Sequence, residues 1–330
     1  AQAARRTRSR RARARCRAQG WWSGGGPSGR AATSSGQPWG HSDEDWNTSA
    51  AAAHQAVPRA GGPLALLKDR DLASEDTRWE PLVEDGRRRS FSYVLRRHRT
   101  GLSEEELSRW FQALHPNNAG VGTGSWTDAA YQGRRLLRKT AWYVAPPCTC
   151  AYDYADTHQD VVTSPAFRGT IEEITVRVAE VCGLADPPNS VNLNFYPPGG
   201  GVGFHSDDEP IFDGLQRDTC IISLSLTEPG EVGCGVGSRW FEVKLKRAFC
   251  LGAADRRTRA VELRHGDIMT MEGFFQMYYL HSAWPGDRDD VLQAPGRSAF
   301  GERINLTWRW VVRHGEGCPL AAEGAADDRA

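Results

Sequence analysis

The second half of the chain is a succession of short apolar segments separated by glycine and proline, and this pattern restricts the fold more than any other feature. The segments are Val191–Tyr196, Cys220–Leu226, Arg239–Leu245, Ala260–Leu263, Asp267–Met271, Gln276–His281 and Arg303–Val312. Strands of this length with turns between them, and hardly a helix among them, are typical of all-β sandwiches and jelly rolls. We therefore predict an all-β sandwich or jelly-roll core.

Two helices are predicted ahead of this region. Ser103 is followed by three glutamates and by apolar residues at helical spacing, the pattern of a capped helix that ends at His115. The segment from Phe167 to Cys182 mixes Ile and Val with charges and precedes Gly183, which predicts an amphipathic helix. The predicted fold class is therefore mainly β, of the α+β type: a double-stranded β-helix, or jelly roll, with N-terminal flanking helices.

Composition divides the chain into four parts. Residues 1–62 are rich in Arg, Ala, Gly and Ser and contain too few branched apolar residues to bury a core, so we expect a disordered arm. We expect residues 63–137 to be a mixed helical extension, 138–312 the jelly-roll domain and 313–330 a disordered tail.

Charge and cysteine content limit the partners and the compartment. The 41 basic and 41 acidic residues cancel, but nine arginines lie between Arg5 and Arg30, so the body of the chain is acidic and net charge alone does not indicate nucleic-acid binding. No apolar segment approaches the roughly 20 residues of a membrane helix, so we expect no membrane partner, and we expect a monomer. The eight scattered cysteines favour a reducing, intracellular compartment, nucleus or cytoplasm; the Arg-rich arm leaves an organellar transit peptide as the alternative.

Three residues form a candidate metal site. His205 and Asp207 lie two apart after a glycine-rich approach, and in a strand this spacing puts both side chains on one face. His281 lies at the end of another β segment. Two imidazoles and one carboxylate on one face of an ion are characteristic of non-haem Fe(II) oxygenases, although zinc hydrolases also use His and carboxylate ligands.

The segment Arg303–Arg309 alternates polar and apolar residues, with Arg303, Asn305, Thr307 and Arg309 on one predicted face. If that face pointed outward, the segment would be an ordinary amphipathic strand. If it points inward, the two guanidinium groups, about 20 Å apart along a strand of roughly 3.3 Å per residue, could lean together and bind a short dicarboxylate at both ends.

From about Arg138 to Arg309 the sequence resembles the AlkB-like Fe(II)/2-oxoglutarate-dependent dioxygenases, and its pattern is most similar to eukaryotic AlkB homologues that demethylate alkylated nucleic-acid bases. The resemblance depends on four blocks: Asn194-Phe195-Tyr196 with His205 to Pro210; His265-Gly266-Asp267 through Met271-Glu272-Gly273 to His281; Arg303 to Arg309; and, more loosely, Thr140 to Tyr143 with Tyr152 and Tyr154.

The resemblance implies a role for each matched residue. His205, Asp207 and His281 would be the iron ligands. Arg303 would bind the distal carboxylate of 2-oxoglutarate and Arg309 the carboxylate next to the metal. Further cosubstrate contacts are implied for Asn194, Tyr196 and Asn305. Contacts with the substrate base are implied for Trp142, Tyr143 and Tyr152, in a nucleotide-recognition lid, and for Glu209.

The implied activity is oxidative demethylation. With Fe(II), 2-oxoglutarate and O2, such an enzyme removes N-alkyl groups from DNA or RNA bases and releases formaldehyde, succinate and CO2. A methyl group on the Watson–Crick edge can be reached only in a single strand or on a flipped base. Two alternatives stay open: an AlkB-like dioxygenase acting on RNA, protein or another non-DNA substrate, and a jelly-roll binding module without catalysis.

Other signals are weaker. Cys148 and Cys150 could bind a metal, but no second cysteine pair accompanies them, and His314 has no partner pattern. The glycine-rich segment Gly233–Ser238 does not fit a dinucleotide-binding loop and predicts a hairpin. Two clusters of basic residues, at 87–99 and 134–139, are candidates for phosphate contacts.

Overall fold

The structure is a computed structural model that describes residues 78–118, 125–154, 156–228, 238–284 and 301–321. The expected disordered arm at 1–62, almost all of the segment Gly233–Ser238 and residues 285–300 lie outside these ranges. Within them, no helix is long and apolar enough to cross a membrane.

Two antiparallel sheets and one small hairpin make up the β structure. The strands are β1 (Trp79–Asp85), β2 (Ser90–Leu95), β3 (Thr127–Tyr131), β4 (Arg134–Val144), β5 (Tyr152–Tyr154), β6 (Thr157–Gln159), β7 (Ser190–Tyr196), β8 (Val202–His205), β9 (Thr219–Thr227), β10 (Arg239–Leu245), β11 (Arg259–Leu263), β12 (Ile268–Gly273), β13 (Tyr279–Trp284) and β14 (Arg303–Arg309). The large sheet has the order β1-β2-β12-β9-β14-β7-β4-β3 and the small sheet the order β11-β10-β13-β8, while β5 pairs with β6. The predicted jelly-roll fold is confirmed.

The helices are α1 (Arg97–Thr100), α2 (Glu104–Leu114), α3 (Pro165–Cys182) and α4 (Phe275–Tyr278). At the start of α2 the Ser103 hydroxyl accepts from the Glu106 N–H while the Glu106 carboxylate accepts from the Ser103 N–H, which is the predicted capping box. The α3 helix ends at Gly183, whose φ of 62° is left-handed and suits glycine. Both long helices were therefore predicted correctly.

Helices α2 and α3 cover the outer face of the large sheet, and this decides the orientation of β14. Ile304, Leu306 and Trp308 are fully buried in the core that these helices share with the sheet. The Trp308 Nε1–H donates to the Thr175 hydroxyl of α3 at 2.8 Å. Because neighbouring strand residues point to opposite faces, Arg303 and Arg309 point inward between the two sheets.

Residues 79–131 differ from the expected mixed helical extension. Strands β1, β2 and β3 join the large sheet, and the expected boundary at residue 138 falls inside β4. The physical reason is the buried segment Ser90–Leu95, which pairs with β12 along its whole length and completes the sheet. The charged residues around it mask this strand in the sequence.

Two further predictions needed correction. The segment Gln276–His281 is not one strand: its first residues belong to α4, and β13 begins at Tyr279. The expected disordered tail at 313–330 is described as far as residue 321, where Cys318 is buried; residues 322–330 lie outside the described ranges.

An ion pair between α2 and α3 gives a pH-dependent contribution to stability. Hydrogen bonds from Arg109, at 2.5 and 2.9 Å, and from Trp110 at 3.0 Å lower the pKa of Glu173 from 4.5 to about 2. A carboxylate with a lowered folded-state pKa stabilises the protein above its unfolded pKa, and this stabilisation is lost as the pH falls from 4.5 towards 2.

We therefore expect Glu173→Gln to lower the free energy of unfolding by about 1 kcal/mol or less at neutral pH, because the pair is largely exposed. The difference from wild type should shrink as the pH is lowered to about 3 in thermal unfolding measurements. Glu105→Gln, at an exposed position of α2, is the matched control. A deficit in Glu173→Gln that stayed constant over this pH range would contradict the assignment.

Candidate iron and 2-oxoglutarate site

Two of the candidate metal ligands lie on paired strands of the small sheet, and the third follows one of these strands. His205 on β8 is the cross-strand partner of His281 on β13, and their ring centroids are 4.2 Å apart. Asp207 follows two residues after His205, and its main-chain N–H donates to the Gln276 side chain at 2.8 Å. The pairing of the two strands therefore brings together the three residues that the sequence pattern selected.

The ligand atoms converge on one point. The Asp207 carboxylate oxygens lie 3.7 Å from His205 Nε2 and 3.8 Å from His281 Nε2. All three ligand atoms lie within 4.8 Å of one another, and all three residues are buried. Their face opens into the cavity between the sheets. This arrangement fits one ion bound on one side, as in a two-histidine, one-carboxylate site.

Electrostatics place these groups in the protonation states that a metal requires. Burial lowers the pKa of both His205 and His281, that of His281 to about 3, so both imidazoles are neutral. Burial would raise the pKa of Asp207, but the charge and the hydrogen bond of Arg309 outweigh it and hold that pKa below its ordinary value. His205 Nδ1 lies 2.8 Å from the Gly203 carbonyl, so an N–H there leaves Nε2 free for a metal. Neutral imidazoles and an ionised carboxylate are ready to bind a cation.

The two arginines of β14 bring positive charge into the same cavity. Arg303 and Arg309 are 2% and 5% exposed, and in each the Nε and Nη1 atoms have no hydrogen-bond partner among the described residues. Arg309 donates to Asp207 through Nη2, while Arg303 Nη2 donates to Ser225 and Asn305. Arg309 is therefore the guanidinium beside the candidate metal, and Arg303 lies at the other end of the strand.

Unpaired N–H groups of buried arginines are costly unless a ligand accepts from them. Burial lowers the pKa of Arg303 to about 10, so this side chain still carries its charge at neutral pH. The nearby buried Arg138 of β4 also lines the cavity, and its Nε has no hydrogen-bond partner in the described part of the chain. A cavity with three cationic side chains beside a metal-binding triad fits a dicarboxylate such as 2-oxoglutarate.

A network of amides and hydroxyls lines the large-sheet wall of the cavity. Asn194, Tyr196 and Asn305, the predicted cosubstrate contacts, all line it. Asn305 accepts from Arg303 at 2.6 Å and from the Ser223 hydroxyl at 2.9 Å, and the Tyr196 ring lies 5.6 Å from the Arg303 guanidinium. These contacts hold Arg303 in place.

The sequence reasoning missed the start of this network. Asn192 lies on the same face of β7 as Asn194 and accepts a hydrogen bond from it at 2.7 Å. Asn192 itself donates to Thr140 on β4 and Gln159 on β6. The alternation of Asn192, Asn194 and Tyr196 is visible in the sequence and could have identified Asn192.

The residues predicted to contact the substrate base fall into two groups, one beside the cavity and one away from it. Tyr152 lines the cavity, and Trp142 lies behind it with ring centroids 4.7 Å apart. Glu209 accepts from the Tyr152 hydroxyl at 2.5 Å, and its other carboxylate oxygen is buried with no described hydrogen-bond partner. Burial, with the negative charge of Asp207 nearby, raises the pKa of Glu209 to about 8. Tyr154 also lines the cavity. From the sequence, this residue belonged only to the loosely matched fourth block of the family resemblance and had no predicted role.

Tyr143 does not belong to this group. It packs in the core under the helices, and its hydroxyl donates to Glu172 of α3 at 2.9 Å. The structure therefore does not support Tyr143 as a substrate contact, because adjacent residues of β4 point to opposite faces of the sheet. Trp142 is not among the residues that line the cavity either, since it lies behind Tyr152.

The basic cluster at 87–99 is largely engaged within the protein. Arg88, Arg89 and Arg96 pair with Asp85, Asp218 and Asp267 at 2.7–2.9 Å, and Arg97 pairs with Glu104. In the cluster at 134–139, Arg135 and Lys139 share Asp128, both at 2.7 Å. The cluster at 87–99 is therefore mostly paired, whereas in the cluster at 134–139 two cations share one carboxylate and Arg138 lines the cavity, so that cluster keeps a net positive charge.

Comparison with known protein families identifies the class. Residues 95–309, well over half of the chain, match the model of the 2OG-Fe(II) oxygenase superfamily. The chain therefore belongs to this superfamily, and the recognition made from its motifs is confirmed. Enzymes of this class are dioxygenases that use Fe(II), 2-oxoglutarate and O2, and the triad described above is the set of residues that could hold the iron.

Similar solved structures cover about two thirds or more of this chain. One, titled "The structure of OsALKBH1", is 17% identical, with a TM-score of 0.39 over 66% of this chain and 97% of its own. Another, an oxidoreductase of the 2OG-Fe(II) oxygenase family from Burkholderia pseudomallei, is 10% identical, with a TM-score of 0.39 over 79% and 98%. No curated protein sequence matches the chain.

Proposed function

We propose that this dioxygenase removes N-alkyl groups from nucleic-acid bases, with His205, Asp207 and His281 as iron ligands and Arg303 and Arg309 as the clamp for 2-oxoglutarate. The observation that carries the proposal is a row of aromatic rings that leads to the candidate iron site. The ring centroids of Tyr152 and Tyr154 are 6.4 Å apart and nearly parallel, and that of Tyr154 lies 5.9 Å from that of His205.

A wall of this kind suits a flat, uncharged or cationic ring. Aromatic side chains stack on unpaired bases with about 1–3 kcal/mol per base. Glu209, beside Tyr152, has a buried carboxylate oxygen with no partner among the described residues. This oxygen could accept from a base amino group, or donate a proton when Glu209 is protonated. An alkylated base in a single strand, or one flipped from a duplex, could therefore lie on this wall with its alkyl group directed to the metal side.

The proposed demethylation balances with O2, 2-oxoglutarate and the methylated base as the only reactants. When bound, Fe(II) and 2-oxoglutarate supply the activation of O2 that the reaction needs. One oxygen atom of O2 enters succinate as 2-oxoglutarate loses CO2, and the other enters the N–CH3 group, which becomes N–CH2OH. The C–N bond of that product breaks to give formaldehyde and the N–H of the restored base. The protein's part is to hold the cosubstrate by charge, position the base and exclude water.

The test is formaldehyde release by the purified full chain with Fe(II) and 2-oxoglutarate. The substrates are DNA and RNA oligonucleotides methylated at N1 of adenine or N3 of cytosine, single- and double-stranded, with unmethylated strands and methylated peptides as controls. We expect release from methylated oligonucleotides only. Release from peptides alone would favour a protein substrate, and a protein that binds neither Fe(II) nor 2-oxoglutarate would favour the binding module.

The aromatic wall gives a separate prediction. We expect Tyr152→Ala to lower kcat/KM on a methylated oligonucleotide by about 5- to 150-fold, since a stacked base is worth about 1–3 kcal/mol. The slow turnover of 2-oxoglutarate without substrate should persist. Tyr278→Ala, at a half-buried tyrosine on Phe249 that does not line the cavity, is the matched control and should leave kcat/KM unchanged. Equal losses in both variants would argue against a stacking role.

A further inference from the structure

A second cluster of metal-binding side chains lies outside the oxygenase site. Cys148 and Cys150 belong to the segment after β4, and His314 and Cys318 belong to the segment after β14. Their four potential ligand atoms all lie within 4.8 Å of one another. The fold therefore brings together two pairs of residues that are far apart in the sequence.

The distances within the cluster match those around a tetrahedral ion. His314 Nδ1 lies 3.5 Å from Cys148 Sγ, 3.6 Å from Cys150 Sγ and 3.5 Å from Cys318 Sγ. Cys148 Sγ and Cys318 Sγ are 3.8 Å apart. A tetrahedral zinc ion, with Zn–S bonds of about 2.3 Å and Zn–N bonds of about 2.0–2.1 Å, separates sulfur from nitrogen by about 3.5 Å and sulfur from sulfur by about 3.8 Å.

Hydrogen bonding alone does not explain this arrangement. Three sulfur atoms surround one imidazole nitrogen at nearly equal distances, yet that nitrogen has either one lone pair or one proton to share. A disulfide does not explain it either, because a bonded pair of sulfurs would be about 2.05 Å apart. All three cysteines are free thiols in the structure. An ion at the centre would satisfy all four side chains together.

We propose that Cys148, Cys150, His314 and Cys318 bind a structural Zn²⁺ ion that fastens the segment after β14 to the segment between β4 and β5. Three thiolates and one imidazole form a soft, closed ligand set that suits zinc and leaves no open position for a substrate. The oxygenase triad, with two imidazoles and one carboxylate, is a different ligand set. The chain would therefore hold two metals with separate tasks.

The surroundings of the cluster indicate what the ion would stabilise. Cys148, Cys150 and Cys318 pack in one apolar cluster with Tyr152, which lines the oxygenase cavity, and with Trp142 behind it. The Trp142 indole N–H donates to the Cys150 carbonyl at 2.8 Å.

On the other side, the Val312 and Arg313 N–H groups donate to the Ile211 carbonyl, in the loop that follows Glu209. The ion would tie together three segments: the one that leads to Tyr152, the one that follows Arg309 and, through it, the one that carries Ile211. We therefore assign the four ligands a positioning role.

The test begins with the metal content of the purified full chain, measured by mass spectrometry after dialysis. We expect about one zinc per chain, which Cys318→Ser and His314→Ala should lose. Loss of a residue that only hydrogen-bonds to a metal ligand lowers metal affinity by roughly 10- to 100-fold. Because these variants remove a ligand itself, their zinc affinity should fall by more than that. Cys250→Ser, at a partly buried cysteine outside the cluster, should keep the ion. Asp207→Asn should keep zinc and lose iron, which separates this proposal from the oxygenase assignment.

A measurement on the wild-type chain covers the case in which the variants fail to fold. With zinc bound, Cys148, Cys150 and Cys318 should resist alkylation, and a chelator should expose all three and lower Tm. Cobalt in place of zinc should give the intense visible bands of tetrahedral thiolate ligation. A zinc-free protein whose three thiols react freely, a disulfide among them, or zinc retained by both Cys318→Ser and His314→Ala would overturn the proposal.

Discussion

Replacing Asp207 by asparagine is expected to remove iron binding and turnover while leaving the fold in place. Asparagine keeps the size of the side chain and an oxygen that can accept from Arg309, but it removes the only negative charge of the triad. Loss of a residue that is hydrogen-bonded to a metal ligand already costs about 10- to 100-fold in metal affinity. Loss of the charged ligand itself should therefore cost more. Anaerobic titration with Fe(II), followed by assays of 2-oxoglutarate consumption, measures both effects.

The control for this variant is Asp153→Asn. Asp153 lies on β5 close to the same cavity, but its side chain is exposed and binds His158 at 2.6 Å. It should keep wild-type iron affinity and turnover. Wild-type iron affinity and turnover in Asp207→Asn would rule out the proposed triad, whatever the substrate is.

The second large effect is expected for Arg303→Met. A hydrogen bond to a charged group is worth about 1.5–3 kcal/mol, so loss of the distal clamp should raise the KM for 2-oxoglutarate by about 10- to 150-fold. The thermal stability of the ligand-free protein should stay equal or rise, because methionine replaces a buried cation with two unpartnered nitrogens. Steady-state kinetics and thermal unfolding test the two parts separately.

Arg239→Met provides the contrast, because Arg239 is buried as deeply as Arg303 but is fully engaged. Its guanidinium donates to the carbonyls of Pro197, Gly200, Ser238 and Gly301. Burial lowers the pKa of both arginines to about 10, so burial alone does not distinguish them.

Methionine at 239 leaves several buried acceptors unpaired and should cost about 3 kcal/mol or more of stability. If Arg303→Met destabilised the protein as strongly as Arg239→Met, Arg303 would be a structural residue and not a binding residue.

Much of the site could be predicted because its residues recur at the regular spacing of a β-strand. The alternation from Arg303 to Arg309 identified the strand and the residues that share a face. The spacing of His205 and Asp207 selected two side chains that do lie together, although β8 ends at His205 and Asp207 follows the strand. The choice between the inward and the outward face of β14 needed the helices that cover the apolar side. Only tertiary packing decides that point.

Other parts could not be predicted because they depend on pairing over long distances. The strand Ser90–Leu95 is flanked by charged residues, and its partner β12 lies more than 170 positions later. The local spacing rules for zinc ligands did not identify the second cluster, because Cys150 and His314 are 164 residues apart. The mistake with Tyr143 was different, since strand alternation alone would have avoided it.

The position of β8 has a consequence for the metal-free protein. In the described part of the small sheet β8 is the last strand, and it pairs only with β13, across from His281. An ion bound by His205, Asp207 and His281 would act as a staple across this pair, so its binding free energy would add to the stability of the sheet edge. Without the ion this staple is lost, so we expect the β8 edge to be less stable in the metal-free protein than in the metal-bound one.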